Sequence, residues 1–195
     1  MKTLAIFYPG CIEFEIMLAC EILDKDFPIE VATPTGEDHV GSNGITIKAN
    51  TSFDLIDPNK YKVVLVPGGD PGIIIGNQKL SQILQQAHAN KSILGAICAG
   101  PIALEQAGLL KNRRIAHGYK GPQQKWLIEN GFFMETILTD ESYIVDGNII
   151  TARPDFFIDF AVELGVLAGS ITLDRKIFWN NYYRGNSTES DGLKI

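Results

Sequence analysis

Of the three cysteines in this 195-residue chain, Cys98 alone stands in a setting suited to chemistry. It lies where an apolar run, SILGAIC, meets a helical pattern, AGPIALEQAG, with Ala96 two residues before it and Gly100 two after. A sharp strand-to-helix turn forces its central residue into a strained backbone conformation, leaves room only for small neighbours, and pushes the side chain clear of the sheet. Pro101 fits the first helical turn, where its missing N–H costs nothing. Unpaired N–H groups at a helix start also stabilise an anion, so the thiol is expected to fall from ~8.5 into a range of roughly 3.5–7.5. The thiolate is the form that attacks carbonyls and the form that oxidises. Most free cysteines are small buried hydrophobes, and Cys11 and Cys20 are read that way.

A nucleophile needs partners. Glu15 belongs to a helical pattern over residues 12–24, with Leu18, Ala19 and Ile22 on its face, whereas Glu13 shares another face with Glu21 and Asp24. A carboxyl on an apolar stripe either has a raised pKa and a specific contact, or packs its stem and keeps its head in water. The loop PGGDPG, after the run YKVVLV, presents backbone N–H groups at the same sheet edge as Cys98. It reads as an oxyanion cradle or as an ordinary glycine turn. His39 and His88 lie among polar residues and read as surface groups. His117, after a strand pattern at 113–116, suits a base or an orienter, with a structural role as the plainer alternative.

Alternating elements must position these residues. Strand patterns at 2–8, 29–33, 61–66 and 92–98 alternate with helical ones at 12–24, 79–89 and 100–109, which predicts an α/β fold with a mainly parallel sheet covered by helices. Around Gly41–Gly44 the pattern breaks for a short strand pair. Further on come a helix at 120–130, a hairpin across Asp146-Gly147 and an apolar helix at 156–168. The aromatic segment ITLDRKIFWNNYYRG is expected to pack on the body or on a second subunit. One domain over 1–185 and a polar tail over 186–195 is the expected organisation.

A net charge of −6, with scattered lysines and arginines, argues against nucleic acid as a partner. Gly10 and Glu13 interrupt the first apolar run before a signal-peptide core forms, and no later run is long enough to span a membrane. Three cysteines without paired spacing suit a reducing compartment and no zinc site. The expectation is a cytoplasmic protein without cofactor or metal.

The segments YPGCIEFE, VVLVPGGDPG and ILGAICAGP, followed by a histidine at 117 after the next strand, resemble the ThiJ/PfpI superfamily across nearly the whole chain. The resemblance is to the branch of the parkinsonism-associated deglycase, related to the class I glutamine amidotransferases. It implies a flavodoxin-like three-layer sandwich with a cysteine elbow, and a homodimer. It further implies a reactive Cys98, a protonated Glu15 donating to its sulfur, His117 nearby, and the N–H groups of Gly69 and Ala99 as an oxyanion hole. The chain departs at Ala99, where the archaeal-protease branch has histidine and the isonitrile-hydrating branch threonine, and at TARPDFF, which replaces the usual glycine-rich loop.

The leading functional expectation is a cofactor-free, cysteine-dependent enzyme acting on small reactive carbonyls, of glyoxalase or deglycase type, through Cys98 with Glu15 and His117. The alternatives are a redox sensor or stress-response protein working through Cys98 oxidation, and a cysteine hydrolase of amides or peptides. A binding or regulatory role without catalysis also fits the motifs.

Overall fold

The computed structural model describes residues 1–186. Its main sheet has seven strands: β1 (Lys2–Ile6), β2 (Ile29–Thr33), β5 (Thr51–Ser52), β6 (Tyr61–Val66), β7 (Ile93–Ile97), β10 (Tyr143–Asp146) and β11 (Ile149–Ala152). They lie in the order β10-β11-β7-β6-β1-β2-β5, all parallel except β10, which returns antiparallel on β11 through the Asp146-Gly147 turn. The central strands are mostly apolar because helices cover both faces. Leu4, Ala5 and Ile6 of β1, Val63–Val66 of β6, and Leu94 and Ile97 of β7 are buried.

One helical layer holds α1 (Phe14–Asp24) and α5 (Phe157–Ala168), packed on each other; α2 (Gln78–Ala89) and α3 (Pro101–Gln106) pack together against β6 and β7 on the opposite face. This is the expected three-layer, flavodoxin-like arrangement. α3 stops earlier than the expected residue 109, because Gly108 turns left-handed at φ 71° and ends the helix.

Two short strand pairs stand outside the main sheet. β3 (His39–Val40) and β4 (Thr46–Ile47) form the expected excursion as an antiparallel hairpin. The hairpin docks on the loop after β1: the Gly10 N–H donates to the Val40 carbonyl, and the Ser42 N–H to the Cys11 carbonyl. β8 (Arg114–Ala116) pairs in parallel with β9 (Ile137–Thr139), and α4 (Gly121–Glu129) follows β8. A buried hydrogen bond from the Ala116 N–H to Thr151 Oγ1, 3.0 Å, joins β8 to β11.

The aromatic C-terminal segment forms α6 (Lys176–Tyr183), which packs on α5 and leaves none of its residues fully buried. Ion pairs Lys176 to Glu163 and Arg184 to Asp159 reinforce that contact. The polar tail lies, apart from Asn186, outside the described residues.

The Thr151 hydroxyl is the polar link between the main sheet and the strand leading to His117. Thr151→Val leaves the Ala116 N–H buried without a partner, and is expected to cost about 1–2 kcal/mol in urea unfolding, whereas Thr151→Ser keeps most of the stability. A valine variant as stable as the parent would show that packing alone holds β8.

Candidate active site

Three strand ends converge on one point. The sheet winds outward in both directions from β1 and β6, and the crevice beyond the carboxyl ends at such a switch is where open α/β sheets bind ligands. β1 leads into Glu15 in the first turn of α1, β6 into Pro67–Asp70, and β7 into Cys98.

Cys98 takes φ 62°, a left-handed conformation that a non-glycine residue adopts only when its surroundings impose it. Its N–H donates to the Ala152 carbonyl at 2.9 Å, and its own carbonyl accepts from the Gly118 N–H at 2.8 Å. Two glycines are required by close approach. A Cβ on Gly68 would lie 2.5 Å from Cys98 Cβ and 2.8 Å from Glu15 Oε2, and one on Gly118 would lie 3.0 Å from Cys98 Sγ. The elbow expected from Ala96 and Gly100 is thus also closed by glycines that follow two other strands.

Glu15 and the Cys98 sulfur flank Gly68 on the same side, and Glu15 and the N–H groups of Gly69 and Ala99 all bear on the thiol's titration. Glu15 is buried, and its Oε2 accepts from the Gly68 N–H at 2.7 Å. The Tyr8 hydroxyl is shared between the Pro67 and Gly68 carbonyls, at 2.9 and 2.8 Å, and braces the loop that carries those amides. Of the two readings open for Glu15, the packed carboxyl with a specific contact is the one observed. The glycine loop joins the site through the Gly68 N–H on Glu15, and Gly69 lines the cavity beside Cys98.

The electrostatics differ from the sequence expectation. Burial pushes the Glu15 carboxyl up from its ordinary 4.5, against the lowering effect of the Gly68 amide and Cys98. The Cys98 thiol, expected below its ordinary value, is pushed up to about 12, first by burial and then by the Glu15 charge and hydrogen bond; the Ala99 and Gly69 amides oppose this. The helix start does act in the predicted direction, but desolvation and a neighbouring carboxylate outweigh it. Burial raises both groups, and the Glu15 charge raises the thiol further, so the titration of each bears on that of the other.

His117 is buried and its pKa is lowered, chiefly by burial. Its Nδ1 accepts from the Tyr119 N–H at 3.1 Å and its ring stacks on Tyr119, which leaves the neutral ring's proton on Nε2. It does not line the cavity above Cys98. Glu13, expected on a helix face with Glu21 and Asp24, stands at the N-cap of α1 and is buried against Gly41 of the β3–β4 hairpin. His39 and His88, read as surface groups, are half-buried.

Above the sulfur opens a cavity of about 420 Å³, lined among others by Ser42, Asp70, Gly118, Tyr119 and Gln123. That size suits a small molecule. Sequence reasoning missed Tyr119, whose hydroxyl donates to the Ala99 carbonyl and accepts from the Ile102 N–H, and so fixes the start of α3. It also missed Ser42 and Gln123. Among the described residues no group of three or more His, Cys, Asp or Glu side chains is placed to hold a metal ion, and no helix is long and apolar enough to cross a membrane.

The fold and site define an α/β protein with a half-buried cysteine on a nucleophile elbow beside a carboxyl. Residues 1–165 match the model of the DJ-1/PfpI family, and the chain belongs to that family. Protein dj-1beta of Drosophila melanogaster is 28% identical over 168 residues, which cover 84% of this chain and 87% of that protein. A deglycase of Thermococcus kodakarensis is 26% identical, covering 78% of this chain and 90% of its own. Among solved structures, the thiJ/pfpI family protein of Bacillus anthracis superimposes with a TM-score of 0.82 at 20% identity, over 95% of this chain and 91% of that one. Drosophila DJ-1beta superimposes with a TM-score of 0.76 at 23% identity, over 96% of this chain and all of that one.

The raised Glu15 pKa carries a consequence for stability. The folded state retains a proton that the unfolded chain releases near 4.5, so its contribution is complete below that value and is lost as the pH rises through the folded value. The stability of the wild type relative to Glu15→Gln, from urea midpoints, is expected to fall as pH rises above about 4.5. A relative stability that grows with pH would contradict it.

Proposed function

We propose that this protein is a cofactor-free, cysteine-dependent enzyme acting on small reactive carbonyls, of glyoxalase or deglycase type. The observation that carries the reading is Cys98, held in a left-handed turn beside the buried Glu15 at the floor of a small-molecule cavity. Family relatives named deglycases, the one from Thermococcus kodakarensis and Deglycase PfpI of Pyrococcus furiosus, 31% identical over 114 residues, support the same class.

In this proposal the proton of the pair rests on Glu15 in the reactive form, leaving the sulfur as thiolate. The thiolate attacks an aldehyde carbon and a carbon–sulfur bond forms. The carbonyl π electrons move to oxygen, which takes the Glu15 proton, and the product is a hemithioacetal. The Gly69 and Ala99 amides then stabilise negative charge next to the sulfur in the transition state. For an α-oxoaldehyde, moving the hydrogen from the aldehyde carbon to its neighbour gives a thioester. Water releases the hydroxy acid and returns the thiol, so the net reaction consumes one carbonyl compound and one water. His117, outside the cavity lining, acts through Tyr119, whose N–H its Nδ1 accepts and whose ring it stacks on.

Cytoplasmic conditions suit this chemistry, since a reducing compartment keeps Cys98 as a thiol. A homodimer belongs to the same proposal. Phe14 and Met17 on α1, and Leu173 and Ile177 around α6, leave apolar area in water that a second copy would cover. Light scattering giving the mass of one chain would remove that element.

The second reading is a redox sensor in which Cys98 is oxidised and its oxygens are held by the Gly69 and Ala99 amides and Glu15. Purified protein supplied with methylglyoxal is expected to form D-lactate. Cys98→Ala should abolish the activity and His117→Gln should lower kcat/KM by about ten-fold or more. Activity equal in wild type and Cys98→Ala would refute the enzymatic reading. Preferential oxidation of Cys98 over Cys11 and Cys20 by mild peroxide, with no turnover, would favour the sensor.

A further inference from the structure

The cavity over Cys98 carries charge of one sign. Only three of the side chains that line it can ionise: Cys98, Tyr119 and Asp70. Burial holds Tyr119 neutral. Glu15 lies buried beside the sulfur at the cavity floor. Asp70 adds a carboxylate from an exposed position, and among the described residues no lysine, arginine or histidine lines the cavity.

Asp70 is also held in place. Its Oδ1 accepts from the Gly72 N–H at 3.0 Å, capping the short 3-10 turn Pro71–Ile73, and its own N–H donates to the Gly10 carbonyl at 3.2 Å. Among the described residues it takes part in no ion pair. Lys120 and Arg153, which bear on His117, do not line the cavity, and Arg153 is paired with Asp155 at 2.7 Å. The Gly69 and Ala99 amides, which would attract an anion, bear on the thiol. An anion entering this space therefore meets a fixed carboxylate, with no basic side chain among the described residues lining the walls to offset it.

We propose that Asp70 is a specificity-determining residue: it makes the cavity accept uncharged or cationic carbonyl compounds and reject anionic ones such as α-oxo acids and phosphorylated aldehydes. This deepens the carbonyl-enzyme reading and rests on Cys98 being the group that meets substrate. Asp70→Asn is the matched probe, because asparagine keeps the capping acceptor while removing the charge.

The test compares alkylation of Cys98 by iodoacetamide and by iodoacetate, reagents of similar size that differ in charge, with peptide mass spectrometry separating Cys98 from Cys11 and Cys20. The expected ratio of neutral to anionic rate, normalised to free cysteine, is about five-fold or more in favour of the neutral reagent, and high salt should shrink it. Asp70→Asn should bring the ratio down several-fold by raising the iodoacetate rate, while Lys120→Gln should not lower it. A ratio that Asp70→Asn leaves unchanged would overturn the proposal. The parallel turnover assay with methylglyoxal and glyoxylate separates the two claims. Charge selection without turnover removes the carbonyl reading and leaves the selectivity, whereas turnover of methylglyoxal without selection removes the role of Asp70 alone.

Discussion

The left-handed backbone of Cys98, at φ 62°, is the constraint on which the site depends. A residue with a side chain pays about 1–3 kcal/mol to stay there, so the surroundings must supply more than that. They do so from three directions: the Ala152 carbonyl takes the Cys98 N–H, the Gly118 N–H takes its carbonyl, and Gly68 and Gly118 leave no space for the turn to relax. The core built by β1, β6, β7 and β11 is what aligns these groups. The seven-stranded sheet thus functions as the frame of one turn.

From that turn follows the electrostatic character of the site. The half-buried sulfur sits beside Glu15 at the floor of the cavity. Burial alone would make both thiol and carboxyl inert acids. Placed together their titrations are linked, and where the proton rests decides whether the sulfur is a nucleophile. The amides of Gly69 and Ala99 favour the charge on sulfur, and the Gly68 amide favours it on Glu15. The balance between these donors sets the reactivity more than the helix start does.

Much of this was legible in the chain. The apolar runs at 61–66 and 93–97, each closed by small residues, specify buried parallel strands and the elbow after the second, because both signals are local. Glu15 stands out because a carboxyl on an apolar stripe demands an explanation. What was not legible depends on long-range assembly. The thiol pKa moved opposite to the local expectation because its shift comes from Glu15, 83 positions away in sequence, and from burial. Glu13 is buried by a hairpin that sequence pattern shows only as a break. Tyr119 and Gln123 reach the cavity because β8 leaves the main sheet and returns the chain to the elbow, a path that no periodicity encodes. The His117 ring follows the same path and is tied to Tyr119.

The most direct test of the central claim, that Cys98 and Glu15 titrate as one unit, is the pH dependence of Cys98 alkylation by a neutral reagent in the wild type and in Glu15→Gln. The account predicts two steps in the wild type, one as the first proton leaves the pair and another at alkaline pH as the second leaves, collapsing to a single step in the variant. A single step at the ordinary thiol value, identical in both proteins, would contradict it.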